Sequence, residues 1–234
     1  MAGFPTIAES ISQIRRQLDE YAQRYQRPRD GIHLLAVSKG HPAWALRQAY
    51  ACGLHEFGES YVQEALDKIG TLADLPLSWH FIGHIQSNKT RDIACHFDWV
   101  HSIDRLKIAR RLAEQRTASL PPLNVCLQIN ISHEVTKSGI ALDELHQLAS
   151  AVTQLPQLRL RGLMALPQAS DDFEQQRLAF RQMHQAFIQL NQQGFALDTL
   201  SMGMSNDMEA AIAEGSTLLR IGTAIFGDRP APVD

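Results

Sequence analysis

The chain opens with an apolar stripe at helical spacing. Ile7, Ile11, Ile14, Leu18, Tyr21 and Tyr25 recur every three or four residues and mark one face of an amphipathic helix. Thr6 and Glu9 fit a capping box at its start, and Pro28 lies beyond its end. From there the period changes. Short apolar runs predict strands at 33–38, 55–58, 79–83, 99–102, 124–129, 158–165, 199–202 and 218–221. Amphipathic stretches between them predict helices at 42–52, 61–69, 87–94, 105–116, 142–155, 173–192 and 207–213, with only a short tail after the last strand. Eight strands alternating with seven helices, and one helix in front, predict an α/β fold of the (β/α)8 barrel type. A doubly wound open sheet is the rival that the alternation also allows.

No repeat, low-complexity segment or linker divides the chain, so residues 1–234 read as one domain. An apolar fraction of 44% against 20% charged residues places it among globular proteins. A net charge of −3 without a basic run disfavours a nucleic-acid partner. Cys52, Cys95 and Cys126 are widely spaced and form no CxxC pair, which argues against a disulfide framework or structural zinc. With no leader pattern and no membrane-length apolar run, the expected location is cytoplasmic, with no membrane partner. The triplets at Asn88 and Asn130 that match a glycosylation signal are then chance matches.

Three segments could carry chemistry. The first predicted strand ends on Lys39, which shares a strand face with Leu35 and Val37. If that face points inward, the lysine sits at the carboxyl rim of the barrel, where active sites of this architecture lie. Desolvation there favours a neutral amine able to form a Schiff base, although a solvated strand terminus is the plainer reading. The second segment, Ser201-Met202-Gly203-Met204-Ser205-Asn206-Asp207-Met208-Glu209, runs from strand seven into a helix. Ser205 or Asn206 could cap that helix, Asn206 and Glu209 resembling a capping box, and a helix start suits a phosphate. The third segment holds Arg220, Gly222 and Thr223. Leu219 and Ile221 share one strand face; if that pair packs under the outer helices, Arg220 points into the barrel and needs a partner there, either a ligand or a structural ion pair. An amine, a phosphate cup on the loops after strands seven and eight, and an inward guanidinium together describe a site for pyridoxal 5′-phosphate. An arginine at the pyridine nitrogen leaves that nitrogen unprotonated and the ring a weaker electron sink.

These residues resemble those of the pyridoxal phosphate homeostasis protein family, which is similar in fold to the barrel domain of alanine racemase. The matching stretches are Leu35-Ala36-Val37-Ser38-Lys39, Phe57-Gly58-Glu59-Ser60-Tyr61-Val62-Gln63-Glu64, and Trp79 through Lys89. They continue with Lys137-Ser138-Gly139, Gly162-Leu163-Met164, Ser201 through Met208 and Arg220 through Gly227. The resemblance implies fold type III among pyridoxal phosphate proteins, Lys39 as the Schiff-base lysine, Ser205, Gly222 and Thr223 on the phosphate, and Arg220 at the ring nitrogen. It also implies a non-enzymatic role in vitamin B6 balance, in which the cofactor is bound and buffered, with transfer to apo-enzymes as a further step; a monomer is the expected state. Two positions depart from the family pattern. Ser60 stands where Asn is usual, so no cofactor contact is carried over there, and Gly40 stands where Thr commonly follows the lysine, which is expected to loosen the turn.

Two alternatives to a carrier remain. A fold type III racemase needs a second acid–base group facing the lysine. In alanine racemase that group is a tyrosine supplied with a second domain, and the tyrosines here, Tyr21, Tyr25, Tyr50 and Tyr61, have no equivalent C-terminal setting. A Schiff-base aldolase would carry no chromophore. His80 and His84, read on one strand face, make a weak metal signal, and His84 is expected at the pocket rim. Lys89 and Lys137 are expected on loops of the active face, either as solvated charges or as transient acceptors of the cofactor.

Overall fold

The structure is a computed structural model that describes residues 5–132, 134 and 138–229. Helix α1 (Ile7–Arg24) starts on the Thr6–Glu9 capping box, with both reciprocal bonds formed. After it, strands and helices alternate: β1 (His33–Val37), α2 (Ala43–Ala51), β2 (Glu56–Glu59), α3 (Val62–Thr71), β3 (Ser78–Phe81), α4 (Thr90–His96), β4 (Trp99–Ile103) and α5 (Leu106–Gln115). The second half continues with β5 (Leu123–Ile129), α6 (Leu145–Thr153), β6 (Leu158–Ala165), α7 (Phe173–Gln192), β7 (Thr199–Ser201), α8 (Met208–Ala213), β8 (Leu218–Ile221) and α9 (Thr223–Phe226).

All eight strands are parallel and pair in chain order, and β8 closes onto β1 with His33 opposite Leu218 and Ala36 opposite Ile221. The barrel is therefore closed, and the open-sheet alternative falls away. Alternate residues of each strand face the helices. Ala36, Phe57, Phe81, Val100, Leu127, Leu163, Leu200, Leu219 and Ile221 are buried there in a continuous apolar layer. At about 1.5–3 kcal/mol for each large side chain buried, this layer is the main favourable term in folding.

Two elements differ from the sequence pattern. A short helix, α9, follows β8 where only a tail is predicted. The segment predicted as one helix over 142–155 begins as a 3-10 turn, Leu142–Glu144, before α6. Because α9 is only one turn long, β8 lacks a covering helix of its own. Helix α1 fills that place: it packs on α2, α8 and α9 and buries Ile11, Ile14 and Leu18. The opening amphipathic stripe is thus the outer cover of the β8–β1 seam.

Gly162 shows how tightly the barrel wall is drawn. A Cβ built there would lie 1.7 Å from the Thr199 carbonyl oxygen on β7. Gly162→Ala must push β6 from β7, and a loss of more than about 3 kcal/mol of stability is expected in urea or thermal unfolding.

Candidate functional site

The carboxyl ends of the strands open onto a cavity of about 380 Å³, within the size range of small-ligand sites. Lys39, Ser205, Arg220, Gly222 and Thr223, the residues picked out from the sequence, all line it. Val37, His41, Ser60, Ile82, Leu166, Met204, Asn206 and Arg229 complete the wall. The β8–β1 pairing brings this about, since it sets the end of β1 beside the loop that leaves β8.

Lys39 extends the inward face of Leu35 and Val37 beyond the end of β1. Its amine is held below the usual lysine range, first by desolvation, then by the positive charge of Arg229, with Glu59 pulling the other way. Arg229 carries no sequence signal. It lies past the last strand, and only the fold brings its side chain against Gly40.

The backbone around Lys39 is clamped from behind. Lys68 on α3, only 6% exposed, donates to the Ser38 carbonyl at 2.7 Å, to Glu59 Oε1 at 2.7 Å and to Glu64 Oε1 at 2.6 Å. The Ser38 hydroxyl donates to Glu59 Oε1 at 2.6 Å, and the Gly40 N–H donates to Glu64 Oε1 at 2.5 Å. All three ammonium protons of Lys68 are used, while Glu59 Oε2 is buried and has no hydrogen-bond partner among the described residues. Burial pushes the Glu59 carboxyl above the usual range against the pull of Lys68. Gly40 sits at φ 77°, where a Thr would be strained. The glycine therefore fits a pinned turn, and the expected loosening is not what the structure shows.

Arg220 is 4% exposed and points into the barrel. Its partners are a hydroxyl and two carbonyls: Nη1 donates to Ser201 Oγ at 2.8 Å and to the Ser201 carbonyl at 2.5 Å, and Nη2 donates to the Ala165 carbonyl at 2.8 Å. Burial pushes its pKa down to about 10, so it remains a cation at neutral pH. Three of its five N–H groups are bonded among the described residues, which leaves two for a ligand.

The loop after β7 is built differently from the expectation. Neither Ser205 nor Asn206 caps α8. Asp207 takes the cap position, and its Oδ1 accepts the Met204 N–H at 2.5 Å. Glu209 turns away to Arg24 and to the Tyr25 hydroxyl of α1, the latter at 2.9 Å, so it is drawn off by the seam helix rather than reaching back to a cap. Ser205 and Asn206 stay on the cavity wall, which Thr223, the first residue of α9, also lines.

A second cavity, of about 580 Å³, shares Lys39, Ser60 and Ile82 with the first, and His84 and Lys89 line it. His84 stands beyond the end of β3, with Nδ1 3.1 Å from Ser138 Oγ, whereas His80 is sealed in the barrel core. Among the described residues no group of three or more potential ligands could hold a metal. Lys137 lies outside the described residues.

A sequence profile of the alanine racemase N-terminal domain matches residues 10–230. The pyridoxal phosphate homeostasis protein of Pseudomonas aeruginosa is 59% identical over 224 residues, covering 96% of each chain. The chain belongs to the pyridoxal phosphate homeostasis protein family. The family member of Escherichia coli is 55% identical over 95% of this chain and 97% of its own. Among solved structures, PipY of Synechococcus elongatus with PLP bound is 38% identical, with a TM-score of 0.83, over 95% of this chain and all of PipY. Alanine racemase of Corynebacterium glutamicum shares the fold alone, at 18% identity and a TM-score of 0.68, matched over 93% of this chain and 60% of that one.

The Lys68 clamp makes a direct prediction. Lys68→Met leaves the Glu59 carboxylate buried without its cation, and a loss of about 3–5 kcal/mol is expected in urea unfolding. Combining it with Glu59→Gln should recover part of that loss.

Proposed function

We propose that this protein binds pyridoxal 5′-phosphate at Lys39 and acts as a non-catalytic reservoir of it, releasing it to apo-enzymes. One observation carries the reading. A lysine held toward neutrality shares a cavity of about 380 Å³ with a buried arginine that has two donors to spare. The donor set fits the cofactor. Ser205, Thr223 and Asn206 offer uncharged polar groups to a phosphate at the end of the cavity fed by β7 and β8. Arg220, which stays charged, can only donate to a pyridine nitrogen. The names of the relatives and the PLP-bound PipY structure support the same ligand.

The cofactor would supply an aldehyde carbon, and Lys39 is the residue that would hold it, its neutral amine being the nucleophile the cavity presents. The chain's own part is to keep that amine available. The Lys68 clamp fixes the backbone on both sides of Lys39, and Arg229 disfavours its protonated form. A carrier fits better than a racemase. Among the described residues no tyrosine lines the cavity that holds both Lys39 and Arg220, so that cavity offers no phenol as a second acid–base group. We read the protein as a cytoplasmic monomer. The thiols of Cys52, Cys95 and Cys126 are all free, which suits a reducing compartment.

Purified protein given pyridoxal phosphate should show a visible absorption band that is missing in Lys39→Ala. A wild-type protein without the band overturns the assignment. Turnover of alanine enantiomers at the usual enzymatic rates of about 1–1000 per second would overturn the carrier reading. Loading also has a calculable pH dependence. It rises as the Lys39 amine deprotonates, at a pH below that for a free lysine. Arg229→Gln removes a neighbouring cation, raises the lysine pKa and should move the loading profile to higher pH. Stopped-flow absorbance across pH checks the direction.

A further inference from the structure

A buried polar thread crosses the barrel interior and ends on Arg220. Ser78 Oγ lies 3.2 Å from His80 Nε2, and His80 Nδ1 lies 2.9 Å from His101 Nε2. His101 Nδ1 lies 2.8 Å from Ser201 Oγ, which accepts from Arg220 Nη1 at 2.8 Å. His80, His101 and Ser201 have no exposed surface. The His80 ring also stacks on Trp99, with centroids 5.3 Å apart and planes 6° from parallel.

The protons of the thread can be assigned from its end. Burial pushes His80 down to about 3 and His101 well below its usual range, where the charge of Arg220 adds to the effect, so both imidazoles are neutral. Each then has one N–H and one acceptor nitrogen. Ser201 Oγ already accepts from Arg220, and its own O–H needs an acceptor. His101 Nδ1 provides one only if the His101 proton is on Nε2. That proton then points at His80 Nδ1, which in turn puts the His80 proton on Nε2, facing Ser78. The opposite assignment would make Ser201 accept twice and leave its buried O–H without a partner, which native interiors avoid.

We infer that His101 and Ser201 are positioning residues for Arg220: with His80 behind them, they form a one-directional chain of neutral groups that holds Nη1 against β7 and turns the remaining donors of the guanidinium toward the cavity. This rests on the cofactor reading above, in which those donors meet the ring nitrogen. Nothing else in the thread touches the ligand, so its effect reaches the site only through the orientation of Arg220.

Ring-resolved imidazole NMR of the ligand-free protein tests the proton assignment without any cofactor. Both histidines should carry the proton on Nε2 across the neutral range, and an Nδ1–H form at either one overturns the thread. Titration with pyridoxal phosphate tests its effect. Ser201→Ala and His101→Phe should weaken binding on the order of ten-fold and shift the visible band, as expected for loss of a buried hydrogen bond to a charged group. Ser201→Thr, which keeps the hydroxyl, should restore both. Leu200→Val, on the outer face of the same strand, should change neither. A Ser201→Ala protein with unchanged affinity and band position overturns the positioning role. If His101→Phe does not fold, Ser201→Ala and the tautomer measurement decide the matter. A wild-type protein with no band refutes the cofactor reading, and the tautomers still judge the thread.

Discussion

The pairing of β8 with β1 is the contact on which the rest depends. Four register positions, from His33 opposite Leu218 to Ala36 opposite Ile221, join the two ends of the strand series. Without them Lys39 would end an edge strand, and Arg220 would face the other edge of an open sheet. With them, the amine, the guanidinium and the loops after β7 and β8 surround one cavity. The same contact creates a seam that the short α9 cannot cover, which gives α1 its function in the fold. The ion pair of Arg24 with Glu209 and the hydrogen bond of Tyr25 to the same carboxylate then fasten α1 to α8 across that seam.

Much of this was legible in the sequence because it rests on period and on chain-local chemistry. The strands alternate in a two-residue period, so the turn of Arg220 into the barrel followed from Leu219 and Ile221 packing outward. The amphipathic stripe and the Thr6–Glu9 box specified α1. What was not legible depends on contacts between segments far apart in the chain. Arg229, Lys68 and His101 carry no motif, and each acts through a partner on a different element. The cap of α8 escapes the pattern for the same reason: Glu209 has the spacing of a capping box, but the cation of Arg24 and the phenol of Tyr25 at the end of α1 compete for it. The spacing of His80 and His84 hints weakly at a metal, whereas the partner His80 actually has, His101, lies on the next strand at no regular spacing.

The interior of this barrel is unusual in being partly polar. Such interiors are commonly filled by branched apolar side chains. Here His80, His101, Ser201 and Arg220 occupy the axis, and the apolar layer lies mainly outside the sheet, beneath the helices. A buried polar core of this kind is stable only when its hydrogen bonds are satisfied, and satisfaction restricts each group to one orientation. Rigidity is therefore concentrated under the site. The Lys68 clamp does the same for Lys39 from the outer side of the strand, so Lys39 and Arg220 on the cavity wall are both held from behind by side chains that do not line it.

The position of α1 has a consequence for how the chain comes to be folded. On the ribosome α1 emerges before every barrel strand, whereas two of its helical neighbours, α8 and α9, come after seven of the eight strands or after all of them. Its apolar face cannot be fully covered, nor the barrel closed, until β8 has emerged. The contacts that complete the fold are also those of longest sequence separation, which makes closure a late step. The cavity that holds both Lys39 and Arg220 is formed across that same seam, so its wall is complete only once the eighth strand is in place.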